Sequence, residues 1–267
     1  MQKKFALSIL IVLFFACKEE DVINAPELTS TQACEDNLTA EKIFNDIIYI
    51  IEKGLKDNGQ SKSCPNYTIM NTDTSDIDTL IINFGSENCL SNGKLRKGII
   101  NVTYNGKYYD AYSVTTITFD NYYLNNKLVQ GEQIITNQGV NNEGNVYFTI
   151  DVNDASITTE NGTINWESNT EREWINGEES YFDISDDEYK IIGTARGNGV
   201  NGNDFIVEII DTLYLHMGCL PSCVIRYGNT KVSPNGYPDR IIHYGDSLCD
   251  CNVDVIINEK TYPIVID

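Results

Sequence analysis

Residues 145–168 read NVYFTIDVNDASITTENGTINWES, and this stretch decides the fold. Its two runs, NVYFTIDV (145–152) and GTINWES (162–168), alternate β-branched or aromatic residues with polar ones, which is typical of half-buried strands. Asn161-Gly162 stands between them, and Asn-Gly is a strong hairpin signal because both residues tolerate positive φ. The stretch therefore predicts an antiparallel hairpin.

The same pattern recurs along most of the chain. Four further runs are GIINVTY (98–104), SVTTITF (113–119), DFIVEII (204–210) and VDVIIN (253–258). Five further Asn-Gly pairs lie between or beside such runs, at residues 92–93, 105–106, 176–177, 201–202 and 235–236. No helix-length pattern separates the runs and no strict repeat is evident. We therefore predict a mainly β fold, an antiparallel meander of hairpins that forms a twisted sheet or a sandwich.

One segment has helical periodicity instead. Apolar residues recur at helical spacing at Ile43, Ile47, Ile50, Ile51 and Leu55, with charged residues at other positions. Thr39 is a suitable N-cap and Gly54 lies near the end of the pattern. The sequence predicts an N-terminal amphipathic helix over residues 39–56, with its apolar stripe docked on the sheet.

The first residues have the layout of an export signal. Lys3 and Lys4 precede an apolar run over residues 5–16 that is too short to span a bilayer as a helix. A small residue then precedes Cys17, which resembles a bacterial lipoprotein box, where the chain is cut before the cysteine and lipid is attached to its thiol. The box departs from the usual pattern at Phe14, and an ordinary secretory signal is the alternative.

These features divide the chain into three parts. We predict a signal peptide (1–16), a lipidated acidic tether (17–38) and a single β-rich domain (39–267). The tether begins Lys18-Glu19-Glu20-Asp21, and this order resembles the export tether of surface lipoproteins of Bacteroidota. The resemblance implies an outer-membrane protein anchored through Cys17 and displayed at the cell surface. A lipoprotein that faces the periplasm is the alternative.

The chain is strongly acidic. It carries 39 Asp and Glu against 19 Lys and Arg, and loss of residues 1–16 removes two lysines, so the net charge moves from −20 to −22. Such a chain repels nucleic acid and anionic lipid surfaces, so nucleic acid is not an expected partner. The predicted signal leaves 251 of the 267 residues, which is enough for one sizeable core.

Eight cysteines are present, and Cys17 is assigned to the lipid. In an exported protein the other seven are interpreted as bridges, with at least one left over. Cys64 and Cys89 flank one turn-and-strand region and are predicted to pair. Cys34, in the predicted tether, is the expected odd thiol. Four more cluster near the C-terminus and predict one or two bridges, with bound zinc as the alternative: Cys219, Cys223, Cys249 and Cys251.

The sequence identifies no catalytic residue, cofactor or metal site. It has two histidines, His216 and His243, and no zinc-protease helix, nucleophile elbow, phosphate loop or dinucleotide fingerprint. Acidic residues are too numerous for a glycosidase pair to be singled out. Two oxygen-rich stretches, 151–154 and 183–188, could attract calcium but lack EF-hand spacing.

Sixteen tyrosines are many for this length. Cross-strand packing on a half-exposed sheet is one explanation. The other is a surface whose rings stack on sugars or on a partner. That ligand-stacking surface would consist of Tyr108, Tyr109, Tyr112, Tyr122, Tyr123, Trp166 and Trp174.

Short motifs in the strands and turns carry a further likeness. They are Asn83–Gly85 before Cys89, Asn92–Gly98, Val102–Tyr108, Thr116–Tyr123, Val129–Gly131, Ile164–Trp166, Arg172–Trp174, Ile192–Ala195 and Tyr244–Asp246 before Cys249. Together they resemble a family of uncharacterised lipoproteins of Bacteroidota, over most of the mature chain. The resemblance implies a lipid-anchored, all-β protein with no activity to carry over. It also implies bulges, bends or turns at Gly85, Gly98 and Gly131.

These observations support one function hypothesis and two alternatives. The first is a non-enzymatic binding or structural module at the cell surface, with a glycan, a partner protein or the matrix as ligand. The alternatives are a carboxylate-based glycan hydrolase and a scaffold stabilised by a divalent cation.

Overall fold

A computed structural model describes residues 28–56, 64–70, 77–180 and 183–266. The predicted signal peptide, Cys17 and the first part of the tether, residues 17–27, lie outside these residues. The fold is mainly β, as predicted, with 61% of the chain in strands and one antiparallel sheet. The described residues contain a single α-helix.

The helix, α1, spans Gln32–Lys56 and so begins before the predicted start at Thr39. Four of the seven residues 32–38 are polar, which is why the sequence suggested a tether there. Two of their side chains have partners inside the fold. Asp36 Oδ2 accepts a hydrogen bond from a backbone N–H of a later loop at 3.1 Å, and Asn37 Oδ1 accepts one from an indole N–H at 3.0 Å. The tether prediction is wrong for these seven residues.

The described residues form thirteen strands. They are β1 (Asn66–Met70), β2 (Asp78–Ser91), β3 (Lys94–Tyr104), β4 (Val114–Leu124), β5 (Lys127–Val140), β6 (Val146–Thr159), β7 (Gly162–Asn176), β8 (Glu188–Asn198), β9 (Asp204–His216), β10 (Ile225–Pro234), β11 (Arg240–Asp246), β12 (Asn252–Ile257) and β13 (Lys260–Val265). Short 3-10 helices span Glu178–Ser180, Ile184–Asp186 and Met217–Cys219. The order in the sheet is the order in the sequence, and all neighbours are antiparallel. The sheet is therefore a pure meander with β1 and β13 as its edges.

The six Asn-Gly pairs named above all lie in or beside connections between neighbouring strands, as predicted. Asn92 and Gly93 show why. They form the two-residue turn between β2 and β3, with φ angles of 50° and 71°. A turn with two positive φ angles has the twist that matches a β-hairpin, and few other residue pairs adopt it at low cost.

Glycines also bend the sheet. Gly85, Gly98 and Gly131 have positive φ and lie at register shifts in β2, β3 and β5, which confirms the predicted bulges or bends. A Cβ at Gly98 would overlap the carbonyl oxygen of Asn121 on β4. Register shifts recur in every pair from β2–β3 to β10–β11. Because each bulge increases the local twist and bend, the sheet curls.

The concave face of the curled sheet surrounds α1. The helix contacts β2, β7 and β10, which come from the beginning, middle and later part of the meander. Phe44 of α1 stacks on Trp166 with ring centres 5.6 Å apart. The buried face of α1 is wider than the predicted apolar stripe, because it also includes Asp46 and Glu52. The core is thus the helix together with the inward-facing residues of the strands.

The two ends of the sheet have different neighbours. At the end that we call the near end, the N-terminal part of α1 meets the loops of residues 199–203 and 235–239, and Arg240 donates to the carbonyl of Ser30 at 3.3 Å. Connections in a meander alternate between ends. The loops of residues 105–113, 141–145 and 177–187 therefore form the opposite end, which we call the far end.

Candidate functional site

An ion cluster lies between α1 and β3. Asp46 Oδ1 is 2.7 Å from Lys94 Nζ, and Asp46 Oδ2 is 2.6 Å from Arg96 Nη2. Arg96 Nη1 donates to the hydroxyl of Tyr122 at 2.6 Å. All four side chains are buried. One carboxylate thus faces two cations, so its removal would leave both charges uncompensated in the interior. The cluster fixes the position of α1 on the sheet.

Glu41 lies further toward the start of α1 and faces the interior. Its Oε2 accepts a hydrogen bond from the hydroxyl of Tyr244 on β11 at 2.7 Å. Glu41 and Asn45 both border two cavities of about 30 and 50 Å³, which is room for a few water molecules. Burial raises the pKa of Glu41 to about 7, and the hydrogen bond from Tyr244 opposes this only in part. Among the described residues, no cation lies within ion-pair distance of this carboxyl.

A third polar group holds the middle of α1. Arg172 on β7 donates to Asn45 Oδ1 at 2.6 Å, and its guanidinium lies 5.1 Å from the centre of the Tyr189 ring. Tyr189 in turn donates to Asp187 at 3.4 Å. Burial raises the pKa of the Tyr189 hydroxyl, which therefore keeps its proton and stays a donor. These contacts join α1 to β7 and β8.

Six cysteines form three pairs at disulfide distance. Cys64 and Cys89 pair as predicted, with Cα atoms 6.3 Å apart. Cys219 pairs with Cys249 and Cys223 with Cys251, with Cα separations of 5.0 and 5.1 Å. The four C-terminal cysteines thus form two bridges, between the connection before β10 and the connection before β12. The sequence left both the number and the connectivity of these bridges open.

Cys34 is the free cysteine among the described residues, as predicted, but it lies buried in α1 and not in a tether. Burial raises the pKa of its thiol to about 12, which keeps it protonated and unreactive. The ligand atoms of His216, Cys219 and Cys249 lie within 4.8 Å of one another. Because these two cysteines are paired, their sulfurs are not the thiolates that zinc requires.

The oxygen-rich stretches considered for calcium use their carboxylates locally. Asp183 Oδ1 accepts from the N–H and the hydroxyl of Ser185 at 3.0 and 2.6 Å. Asp186 Oδ2 accepts from the hydroxyl of Ser180 at 2.5 Å. Asp151 Oδ1 accepts from an amide on β7 at 2.5 Å. These carboxylates close turns and link strands.

The predicted stacking surface includes three residues that are not on the surface. Tyr122, Trp166 and Trp174 are 0%, 6% and 3% exposed, and the prediction is wrong for them. They face the concave side of the sheet and pack in the core. Alternation along a strand does not reveal which face is concave when both faces carry aromatic residues.

The other four predicted residues differ in exposure. Tyr108 packs inward, with its ring 4.4 Å from that of Phe148. Tyr123 faces outward on β4, where Lys97 Nζ lies 4.3 Å from the ring centre. Tyr109 and Tyr112 are 36% and 75% exposed, and both belong to the far-end loop of residues 105–113.

Hydrogen bonds fix the backbone of this loop. The N–H of Lys107 donates to Asp110 Oδ2 at 2.9 Å, and the N–H of Val114 donates to Asn105 Oδ1 at 2.7 Å. The N–H of Tyr112 donates to the carbonyl of Asn137 on β5 at 3.0 Å. The exposed rings therefore stand on a held backbone.

Comparisons of the chain with protein-family models, with curated proteins and with solved structures found no match. The helix of the described residues is not apolar enough over a sufficient length to cross a membrane.

The sequence interpretation missed the interior polar groups. The alternation in β3 places Lys94 and Arg96 on the same face of the strand as the buried Ile100 and Val102. This signal is easily discounted, because lysine and arginine are rarely buried without a partner and are normally assigned to the surface. Their shared partner, Asp46, lies on α1, 48 residues before Lys94, and no local pattern connects α1 with β3.

Proposed function

We propose that this protein is a lipid-anchored protein of the outer membrane, displayed at the cell surface, that acts as a non-enzymatic binding module. The observation that carries the proposal is the N-terminal sequence, in which an apolar run after Lys3 and Lys4 ends directly before Cys17. The following residues, Lys18–Asp21, support the surface location through their resemblance to an export tether. The partners are the membrane, through lipid on Cys17, and a glycan or protein ligand.

The cysteines support an exported location independently. Three pairs at disulfide distance fit an oxidising compartment better than a reducing one. The net charge of −20 supports a partner other than nucleic acid.

The start of the fold limits the length of the tether. Ser30 is held by Arg240, so residues 18–29 connect Cys17 to the domain. A fully extended segment of this length reaches at most about 45 Å. In this proposal the near end of the sheet lies toward the membrane and the far end points away from it.

A binding role fits the far end, where Tyr109 and Tyr112 are exposed on a held loop. A glycan hydrolase would require two carboxyls that face each other across one groove. Within the described part of the chain, burial raises the pKa of two carboxyls, Asp36 and Glu41, and these border different cavities. No specific observation favours the hydrolase or the divalent-cation scaffold.

Surface proteolysis of intact cells tests the proposal. We expect added protease to degrade the wild-type protein in intact cells, and a Cys17→Ala variant to be lost from the membrane fraction. A second variant, with Lys18–Asp21 replaced by serines and Cys17 intact, separates surface export from anchoring. It should stay in the membrane fraction and become protected. Protection of the wild type in intact cells, with cleavage after lysis, would contradict surface display.

A further inference from the structure

Tyr112 has an unusual backbone. Its φ is 68°, in the left-handed region that bulky residues rarely adopt. Asn or Gly takes this conformation with less strain, and the chain uses both at other turns. A strained tyrosine that is 75% exposed adds nothing to the core. Backbone strain of this kind concentrates at functional sites, which suggests that the side chain of Tyr112 contacts a ligand.

Tyr112 lies beside β5. Its hydroxyl is 3.8 Å from the position that a Cβ on Gly139 of β5 would occupy. The neighbouring Val140 is 64% exposed. The carbonyl of Asn137 accepts from the N–H of Tyr112, and the Asn137 amide donates to the carbonyl of Tyr108 at 3.0 Å. One side of the tyrosine thus rests on β5, and the other side faces solvent.

The adjacent far-end loop is also fixed. Asn141 and Asn145 both donate to Glu173 Oε1, at 2.9 and 2.7 Å. Asn142 and Glu143 between them are exposed. Tyr, Asn, Gly and Ser dominate these two loops, and these are the residues that rigid recognition loops use for contact area and adaptable hydrogen bonds.

We propose that the far end binds a neutral glycan, with the ring of Tyr112 as the stacking platform and Tyr109, whose ring centre lies 5.6 Å from Lys107 Nζ, at its side. A pyranose presents a flat C–H face to an aromatic ring and hydroxyls to the polar side chains around it. Tyr109, Tyr112 and Val140 together expose on the order of 300 Å² of apolar surface, well below the ~800 Å² per partner of a stable protein interface. The net charge of −20 repels sulfated or acidic glycans.

The inference rests on the proposed function of a surface binding module. The position of the loop within the domain fits a role in binding a ligand outside the cell. Tyr108 lies at the base of the loop, where burial raises the pKa of its hydroxyl and the nearby carboxylate of Glu52 adds to the rise. Asp36 contacts the near end, and the helix between Asp36 and Glu52 is about 24 Å long. The tyrosines therefore lie at the opposite end of the domain from the segment that leads to Cys17.

The test uses the full chain, purified from membranes in detergent, and immobilised neutral hexasaccharides: cellohexaose, laminarihexaose, mannohexaose, xylohexaose and chitohexaose. We expect binding to at least one of them. Tyr112→Asn should weaken that binding about tenfold, as expected for loss of an aromatic stacking contact. Tyr112→Phe should keep the affinity within about twofold. Tyr123→Asn, which removes an outward-facing tyrosine on β4, is the matched control and should bind like the wild type.

Thermal unfolding of the same variants separates recognition from packing. Tyr112→Asn should melt at or above the Tm of the wild type, because asparagine relieves the backbone strain. No binding to any of the five saccharides, equal binding by Tyr112→Asn, or a lower Tm for that variant would overturn the inference. These measurements do not depend on which membrane leaflet holds the protein. A failure here combined with Cys17-dependent proteolysis of intact cells therefore rejects the glycan and leaves surface display standing.

Discussion

Replacing Glu41 by glutamine should change how the stability of this protein depends on pH. The wild-type carboxyl has a pKa of about 7 in the folded protein, against an ordinary value of 4.5. Between these values the folded state keeps a proton that the unfolded state releases. The free energy of unfolding therefore falls as pH rises from about 4.5 to about 7, and this contribution is constant above that range.

The size of the effect follows from the difference in pKa. Each unit corresponds to 1.36 kcal/mol, so Glu41 removes at most about 3 kcal/mol of stability between pH 4.5 and pH 7. This is an upper bound because the carboxyl borders two cavities that have room for water. Glu41→Gln keeps the shape and can still accept the hydrogen bond from Tyr244. It should match the wild type near pH 4.5 and exceed its stability by up to about 3 kcal/mol at pH 8.

Denaturant unfolding at a series of pH values from 4.5 to 8.5 measures this difference. Glu171→Gln, which changes an exposed carboxyl on β7, is the control and should follow the wild-type curve. If Glu41→Gln and the wild type lose stability in parallel over the whole range, Glu41 does not hold a proton in the folded state and the reasoning fails.

Three further predictions concern stability. Asp46→Asn leaves two buried cations without their carboxylate and should destabilise the protein by about 3–5 kcal/mol in denaturant unfolding. Replacing both Cys64 and Cys89 by serine opens a loop of 25 residues and should cost about 3.5 kcal/mol in the chain-entropy model; a peptide map that links Cys64 to another cysteine would contradict the pairing. Gly98→Ala should lower Tm more than Gly202→Ala, because both have positive φ but a Cβ meets backbone only at Gly98; equal shifts would argue against the close strand approach.

The local structure was largely predictable from the sequence. Alternation in runs such as 145–152 and the Asn-Gly pairs gave the strands and turns, because both depend on residues that are neighbours in the chain. The pairing of Cys64 with Cys89 was predictable for the same reason, since both lie near one turn. The start of α1 was not, because the partners of Asp36 and Asn37 come more than 100 residues later.

The interior was much less predictable. Asp46, Glu41 and Arg172 face the interior only because the sheet curls around the helix. The curvature of the sheet accumulates from bulges that are distributed over ten strands. A periodic pattern shows that a residue shares a face with others, but not whether that face is enclosed. For the same reason Trp166 was assigned to a surface, whereas Tyr112 was identified among the exposed aromatic residues.

The meander around α1 also constrains the order in which the chain can fold. Every strand pairs with its neighbour in sequence, so hairpins can add one after another as the polypeptide lengthens. The helix is synthesised first, but two of its partners, the hydroxyl of Tyr244 and the carbonyl of Ile266, come last and contact Glu41 and Lys42. The C-terminal strands, from β11 onward, therefore complete the polar contacts of a helix that is synthesised before them. A chain that stops before β11 has most of its hairpins but leaves Glu41 and Lys42 of the helix without these partners, which exposes incomplete products to degradation.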